Sequence, residues 1–406
     1  MSMGPLLLWG GVFLNFVLLS LLAYFALSPP EISADTLAYF EGSQVEKGRV
    51  YAQARYLLFA ADQVLVILVL AAAVLFLFGR GWVPLPGANP YLQLTVYLVL
   101  LSALLAVVTL PLDFCRGFVL EHRYGFSTQG LGLWFADQGK GFVIKTVLSL
   151  VALVGFFLII RNGAYFWPVP AAGAFGLFLA LQAMLAPLVV DPLFHKFEPL
   201  PAGPFRDRVV ALAADAGVEV GEVLVMDAGR RTTKANAYFT GMGRTKRIVL
   251  YDNLLRDFSP REAELVVAHE LGHWQKHHIT KGILLGVGGA LVFFLLYRLV
   301  PAGFGVPGGH PATLPVLLLF MTVFSLASLP AGNTVSRAFE READRVSLEL
   351  TGDPAGAMAM KKNLALRNLA DVQPHPFVRS LLFTHPPAVE RITAAEEWAG
   401  EATRHQ

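Results

Sequence analysis

Cys115 is the only cysteine in 406 residues, so the chain can form neither an internal disulfide nor a cysteine-built zinc cluster. Any metal must be held by His, Asp or Glu. Charge is also scarce: Asp, Glu, Lys and Arg make up 15% of the chain, against about 25% in soluble domains. The formal net charge of +2 argues against a nucleic-acid partner. Hydrophobic residues fill the deficit at 55%, and mean hydropathy is +0.55. The partner this composition implies is the lipid bilayer. No internal repeat or low-complexity tract stands out.

A helix needs roughly 20 apolar residues to cross about 30 Å of hydrocarbon. Runs near 5–27, 56–79, 91–111, 142–161, 165–190, 279–300 and 313–331 meet that length and predict seven spans. The first lacks a basic n-region and is read as a retained span rather than a cleaved signal peptide. Pro168, Pro170 and Pro187 predict a kink or a late start in the fifth. Alternate connections are rich in Lys and Arg, among them 191–278 and the tail after 331, so the positive-inside rule places these on the cytoplasmic side. The predicted organisation is spans 1–5 in 1–190, a metallopeptidase part in 191–278, spans 6–7 in 279–331 and cytoplasmic helices in 332–406. GEVLVMDA and RIVLYDN read as strands flanking KANAYFTGMGRTK, a β element with a turn inside it. Asp62, Gln63 and Gln182 lie within spans and must face protein or water.

SPREAEL then opens a helix, with Ser259 as N-cap, Pro260 in the first turn and Glu262 closing a capping box. That helix runs into VVAHELGHWQKHH, residues 266–278. His269 and His273 stand one turn apart on one face and can grip one Zn²⁺, while Glu270 reaches the open coordination position. Gly272 leaves room for a close backbone approach. Trp274 is expected at the membrane interface, and His277 and His278 read as surface or interfacial residues rather than ligands. A His-rich metzincin ending is excluded, because Lys276 and Ile279 stand where Gly and His are required. The third ligand must come from elsewhere. In NTVSRAFEREADRVSLEL, Glu340 and Asp344 lie one turn apart beside an apolar face of Val335, Ala338, Phe339, Ala343 and Val346. Glu340 can ligate while Asp344 holds a ligand imidazole from behind. The competing possibility is a solvated ladder with Arg337, Arg341 and Arg345, a role that suits Glu342 and Glu349 better.

HELGHW followed by FEREAD resembles the integral-membrane zinc CAAX prenyl proteases of type 1, gluzincins related to the membrane peptidase HtpX. The resemblance extends to LPLDFCRGFVLEHRYGFSTQGLGLWFADQGKGF (110–142), DPLFHKFEPLPAG (191–203), KANAYFTGMGRTKRIVLYDNLL (234–255) and FTHPPAVERI (383–392). It implies an α-helical polytopic membrane protein with a zinc site facing a chamber ringed by seven helices. It further implies one Zn²⁺ per chain on His269, His273 and Glu340, with Glu270 activating water. Asn236 would hold substrate backbone, and His385 and Arg391 would face the reacting group. Taken alone, His385 could help set a turn before two prolines, Arg391 could pair with a neighbouring acid, and Asn236 could be a turn residue.

The predicted function is a membrane zinc endopeptidase acting on a peptide that is prenylated at its C terminus or otherwise hydrophobic. An HtpX-like quality-control protease is the rival within the enzyme class. A transporter or scaffold with a structural metal is the rival outside it, though such a metal would have its fourth position closed by protein. Arginine outnumbers lysine 22 to 10, which points to a bacterial inner membrane rather than the endoplasmic reticulum. Oligomeric state is not encoded in any of these patterns.

Overall fold

The computed structural model describes residues 3–80, 82–219, 221–241 and 246–404. Seven helices among them are long and apolar enough to cross a membrane. Five precede the peptidase part: α1 (Met3–Leu27), α2 (Gly42–Phe76), α3 (Pro90–Phe114), α4 (Leu131–Asn162) and α5 (Pro168–Leu185). The prolines act as expected in the fifth, which starts at Pro168 and widens into a π turn over Ala186–Val190, where Pro187 sits. After α6 (Pro204–Asp215) comes the HELGH helix α7 (Pro260–Gln275), then the sixth and seventh spans, α8 (His278–Tyr297) and α9 (Leu314–Thr351). Three helices close the chain: α10 (Pro354–Arg367), α11 (Pro376–Leu382) and α12 (Ala388–Arg404).

The spans touch in a closed ring, α1–α2–α3–α4–α5–α8–α9 and back to α1, with α9 also reaching α2 and α3. α4 and α5 are scarcely buried, as walls with open space on more than one side must be. Within the ring wall the Gln63 amide donates to its neighbour Asp62, and Arg116 pairs with Asp113 three residues earlier, so both contacts are local to a single span.

Two helices overshoot the bilayer. At 1.5 Å per residue, the 35 residues of α2 and 38 of α9 span roughly 50–57 Å, against about 30 Å of hydrocarbon. The expected boundary at 331/332 falls inside α9, which continues unbroken past Pro330 and carries Glu340 on the same rod as the seventh span. Val45 in the overhang of α2, with Phe40 just before the helix, packs against Ala365, Val372 and Ile392, so the ring and the peptidase lobe share a core.

The lobe holds a four-stranded sheet in the order β1 (Phe197–Pro199), β2 (Glu222–Met226), β4 (Arg247–Tyr251), β3 (Ala237–Thr240). β2 and β4 pair in parallel with Glu222 opposite Arg247, and β3 pairs antiparallel with Ala237 opposite Leu250. The turn expected between β3 and β4 lies outside the described residues. β3 is an edge strand, and its neighbour across the lobe is α7. Lys234 bonds Glu121 at 2.6 Å and Arg231 bonds Asp137 at 2.8 Å, tying the sheet to the ends of the third and fourth spans.

Candidate metal centre

α7 begins as its sequence dictates. The Ser259 side chain accepts from the Glu262 backbone N–H, and the Glu262 carboxylate accepts from the Ser259 backbone N–H. Leu265, Val267, Ala268 and Leu271 are buried, so the helix lies within the lobe's core rather than on its surface. It packs on α9 through Gly272. A Cβ there would lie 2.8 Å from Ala343 Cα and 2.9 Å from its carbonyl oxygen, both backbone atoms that cannot give way. Gly272→Ala must therefore part the helices. We expect a loss of about 1–3 kcal/mol in denaturant unfolding, with weaker metal binding, because Glu340 bridges that gap.

The close approach brings the ligand-type atoms of three residues together. Glu340 Oε2 is 3.2 Å from His269 Nε2, Glu340 Oε1 is 3.3 Å from His273 Nε2, and the two Nε2 atoms are 3.3 Å apart. A tetrahedral ion with ligands at about 2.0–2.1 Å has ligand–ligand edges of roughly 3.3 Å. Lone-pair atoms of three side chains at that spacing would repel one another unless a proton or a cation lay between them. The donor set therefore fits a small divalent ion, held by these three residues.

Behind His269 stands Asp344, with Oδ1 2.8 Å from Nδ1, which leaves Nε2 free to ligate. Asp344 is itself enclosed by cations. Arg391 grips it with Nε and Nη2, each at 2.6 Å, and Lys361 Nζ caps Oδ1. Burial pushes the Lys361 ammonium down to about 8 even in this company. Arg391 Nη2 also comes within 3.5 Å of His269 Nε2 and Glu340 Oε2, so it flanks the cluster while anchored on Asp344. Its alternative partner Glu390 pairs instead with Arg379.

Among the described residues the Glu270 carboxylate makes no hydrogen bond, and it lines a cavity of about 250 Å³ with Phe239, His273, Trp274, His278 and Ile279. Burial raises its pKa above the ordinary carboxylate value, opposed by the neighbouring imidazoles. His385 approaches from the other chain end, Nε2 3.3 Å from Glu340 Oε1, with a largely exposed side chain. Its loop is pinned to α9 by Arg337, which donates to the carbonyls of Arg379 and Phe383, and by Asn333, which donates to Leu381. Arg337 is thus no member of a solvated ladder. Glu340 accepts from neither Arg337, Arg341 nor Arg345, and of those acids only Glu349 pairs as a ladder would, with Arg345. Asn236 is exposed at the residue before β3, its carbonyl accepting from Tyr251 N–H.

Trp274, four residues before the sixth span, is half-buried, its ring 4.9 Å from Phe239 of β3 and beneath the Lys246 ammonium. One sequence expectation is corrected here. His278 is not a surface residue: it is 5% exposed, with Nδ1 2.9 Å from His273 Nδ1. Lys361 was not anticipated. Its signal was a lysine on the same helical face as Ala357, Leu364 and Ala365, where a charge needs a buried partner.

Residues 199–399 match the model of peptidase family M48, and residues 20–196 match the CAAX prenyl protease N-terminal family with its five membrane helices. The uncharacterized metalloprotease YhfN of Bacillus subtilis is 33% identical over 343 residues, covering 80% of this chain and 78% of that protein. The chain belongs to peptidase family M48. The CAAX prenyl protease 1 homolog of Oryza sativa subsp. japonica is 29% identical with 92% of each chain covered. The crystal structure of S. mikatae Ste24p shares the fold, with a TM-score of 0.77, 24% identity, and coverage of 94% of this chain and 97% of that one. Membership in M48 makes the protein a membrane metalloprotease and implies a metal in the cluster on α7 and α9.

Proposed function

We propose that the protein is a zinc endopeptidase that cuts a peptide next to a prenylated C-terminal cysteine, with His269, His273 and Glu340 holding one zinc ion and Glu270 serving as general base. The observation that carries this is the cluster of His269, His273 and Glu340 with Glu270 beside it on the wall of a cavity, its carboxylate making no hydrogen bond among the described residues. Two imidazoles, a carboxylate and an open side suit zinc. Bound there, zinc would polarise the scissile carbonyl and bring the pKa of water at its open position toward neutrality.

The chain's own groups supply the rest. Glu270 takes the proton of the attacking water and returns it to the departing amine. His385, on the exposed side of Glu340, is placed to donate to the oxygen that becomes negative. Arg391 is committed to Asp344 and contributes its positive field from behind. The free edge of β3 beside α7 offers backbone groups to an extended peptide, with Asn236 at its start. Prenyl specificity is supported by the CAAX prenyl protease relatives and by spans whose ring leaves apolar walls exposed. The basic connections support a cytoplasmic site, and the arginine excess supports a bacterial inner membrane.

The test offers zinc-loaded protein a farnesylated peptide and its unmodified counterpart, with cleavage sites mapped by mass spectrometry. Cleavage after the prenylated cysteine, with a clear preference for the farnesylated peptide, is expected. Equal cleavage of both would transfer the assignment to a quality-control protease.

A further inference from the structure

Of the four histidines in VVAHELGHWQKHH, the metal accounts for two. His277 adopts a left-handed backbone with φ 56° between α7 and α8. A non-glycine residue in that region costs of order 1 kcal/mol and persists only where its surroundings impose it. The corner it makes turns His278, the first residue of α8, inward. His278 Nδ1 then lies 2.9 Å from His273 Nδ1, and its Nε2 lies 3.0 Å from Glu342 Oε2. The ring is clamped flat on Phe339, centroids 4.2 Å apart and planes within 6°. Phe339 and Glu342 both belong to α9, which also carries Glu340.

Only one placement of protons serves this chain of atoms. If His273 offers its Nε2 lone pair to a metal, the neutral ring carries its proton on Nδ1. That proton needs an acceptor, and the atom within reach is His278 Nδ1. His278 accepts there only with its own proton on Nε2, which then donates to the Glu342 carboxylate. We propose that His278, backed by Glu342, is the positioning residue for His273, fixing its tautomer and ring plane as Asp344 does for His269. The two ligand histidines are thus held by different devices: one directly by a buried carboxylate, the other through a second imidazole to a carboxylate at the surface. This inference rests on His273 being a ligand.

The test measures zinc dissociation constants by chelator competition on the purified full chain, together with the thermal midpoint of the metal-free protein. His278→Phe keeps a flat ring over Phe339 but removes both nitrogens. It is expected to raise the zinc dissociation constant about 10- to 100-fold, while the metal-free midpoint moves by no more than about 2 °C. His278→Asn places an amide oxygen near the former Nδ1 and is expected to recover most of that loss. Glu342→Ala, at a half-exposed position that tolerates truncation, is expected to weaken zinc in the same direction by a smaller factor. Zinc binding within twofold of wild type in both His278→Phe and Glu342→Ala overturns the proposal. So does Asn performing no better than Phe while the metal-free midpoint falls, since His278 would then be a packing residue. Wild-type protein that binds no zinc would instead sink the metal-site reading beneath it.

Discussion

Glu270→Gln is expected to reduce kcat on a cleavable peptide by about 10²–10⁴-fold while leaving zinc binding nearly intact. The two effects separate because Glu270 lies outside the three-residue cluster and, among the described residues, makes no hydrogen bond that holds His269 or His273 in place. Glutamine fills the same volume and can still hydrogen-bond water, so substrate binding and KM should change little. What it cannot do is accept a proton. Glu340→Gln makes the contrasting case: it removes a ligand charge from within 3.3 Å of both imidazoles, and zinc content and activity should fall together. If Glu270→Gln lost its zinc as Glu340→Gln does, Glu270 would be a structural partner of the metal rather than the base. If it kept full activity, the proton would have to go elsewhere.

These roles were legible in the sequence to the extent that they are local. The N-cap, the i, i+4 histidines and the choice of Glu340 over Glu342 as ligand follow from helical phase, and phase survives folding. The seven spans were legible for the same reason, since twenty apolar residues in helix have few other places to go. What the sequence concealed depends on packing. β1 has three residues, one of them proline, and exists because β2 offers it an edge. The continuation of α9 past 331 looked like a span followed by a separate helix, because apolar composition ends where the bilayer ends while the helix itself does not. His278 looked like the polar border of a span; only the left-handed corner at His277 turns it toward His273. Arg391 was expected to face the reacting group, and it lies beside the cluster, but Asp344 has first claim on its guanidinium.

Asp344→Asn is expected to be the most damaging single substitution that leaves every ligand in place. The side chain is nearly buried: its two oxygens accept from Lys361 Nζ and from both Nε and Nη2 of Arg391, and Oδ1 lies 2.8 Å from His269 Nδ1. An amide has one oxygen where the carboxylate has two. Whichever way it turns, its NH₂ meets a buried cation: Arg391 Nε in one orientation, Lys361 and Arg391 Nη2 in the other. Removing one partner of such a network typically costs about 3–5 kcal/mol, because the charges left behind remain buried. Lys361 has a partial escape, since its pKa is already down to about 8 and falls further without Asp344, so it can shed its proton. The unfolded chain then binds more protons than the folded one as pH rises toward the ordinary lysine value, and stability increases with pH over that window. The deficit of Asp344→Asn should accordingly be largest below the variant's lowered Lys361 pKa, shrink as pH rises to about 8, where Lys361 of the unsubstituted protein also sheds its proton, and stay level above that. Adding Lys361→Met removes one stranded cation and should recover part of the lost stability at neutral pH. It should not recover zinc affinity, expected to be down about 10- to 100-fold, because His269 still lacks the carboxylate behind Nδ1. Stability and metal affinity recovering together in the double variant would show that Asp344 acts on the metal only by holding the lobe folded.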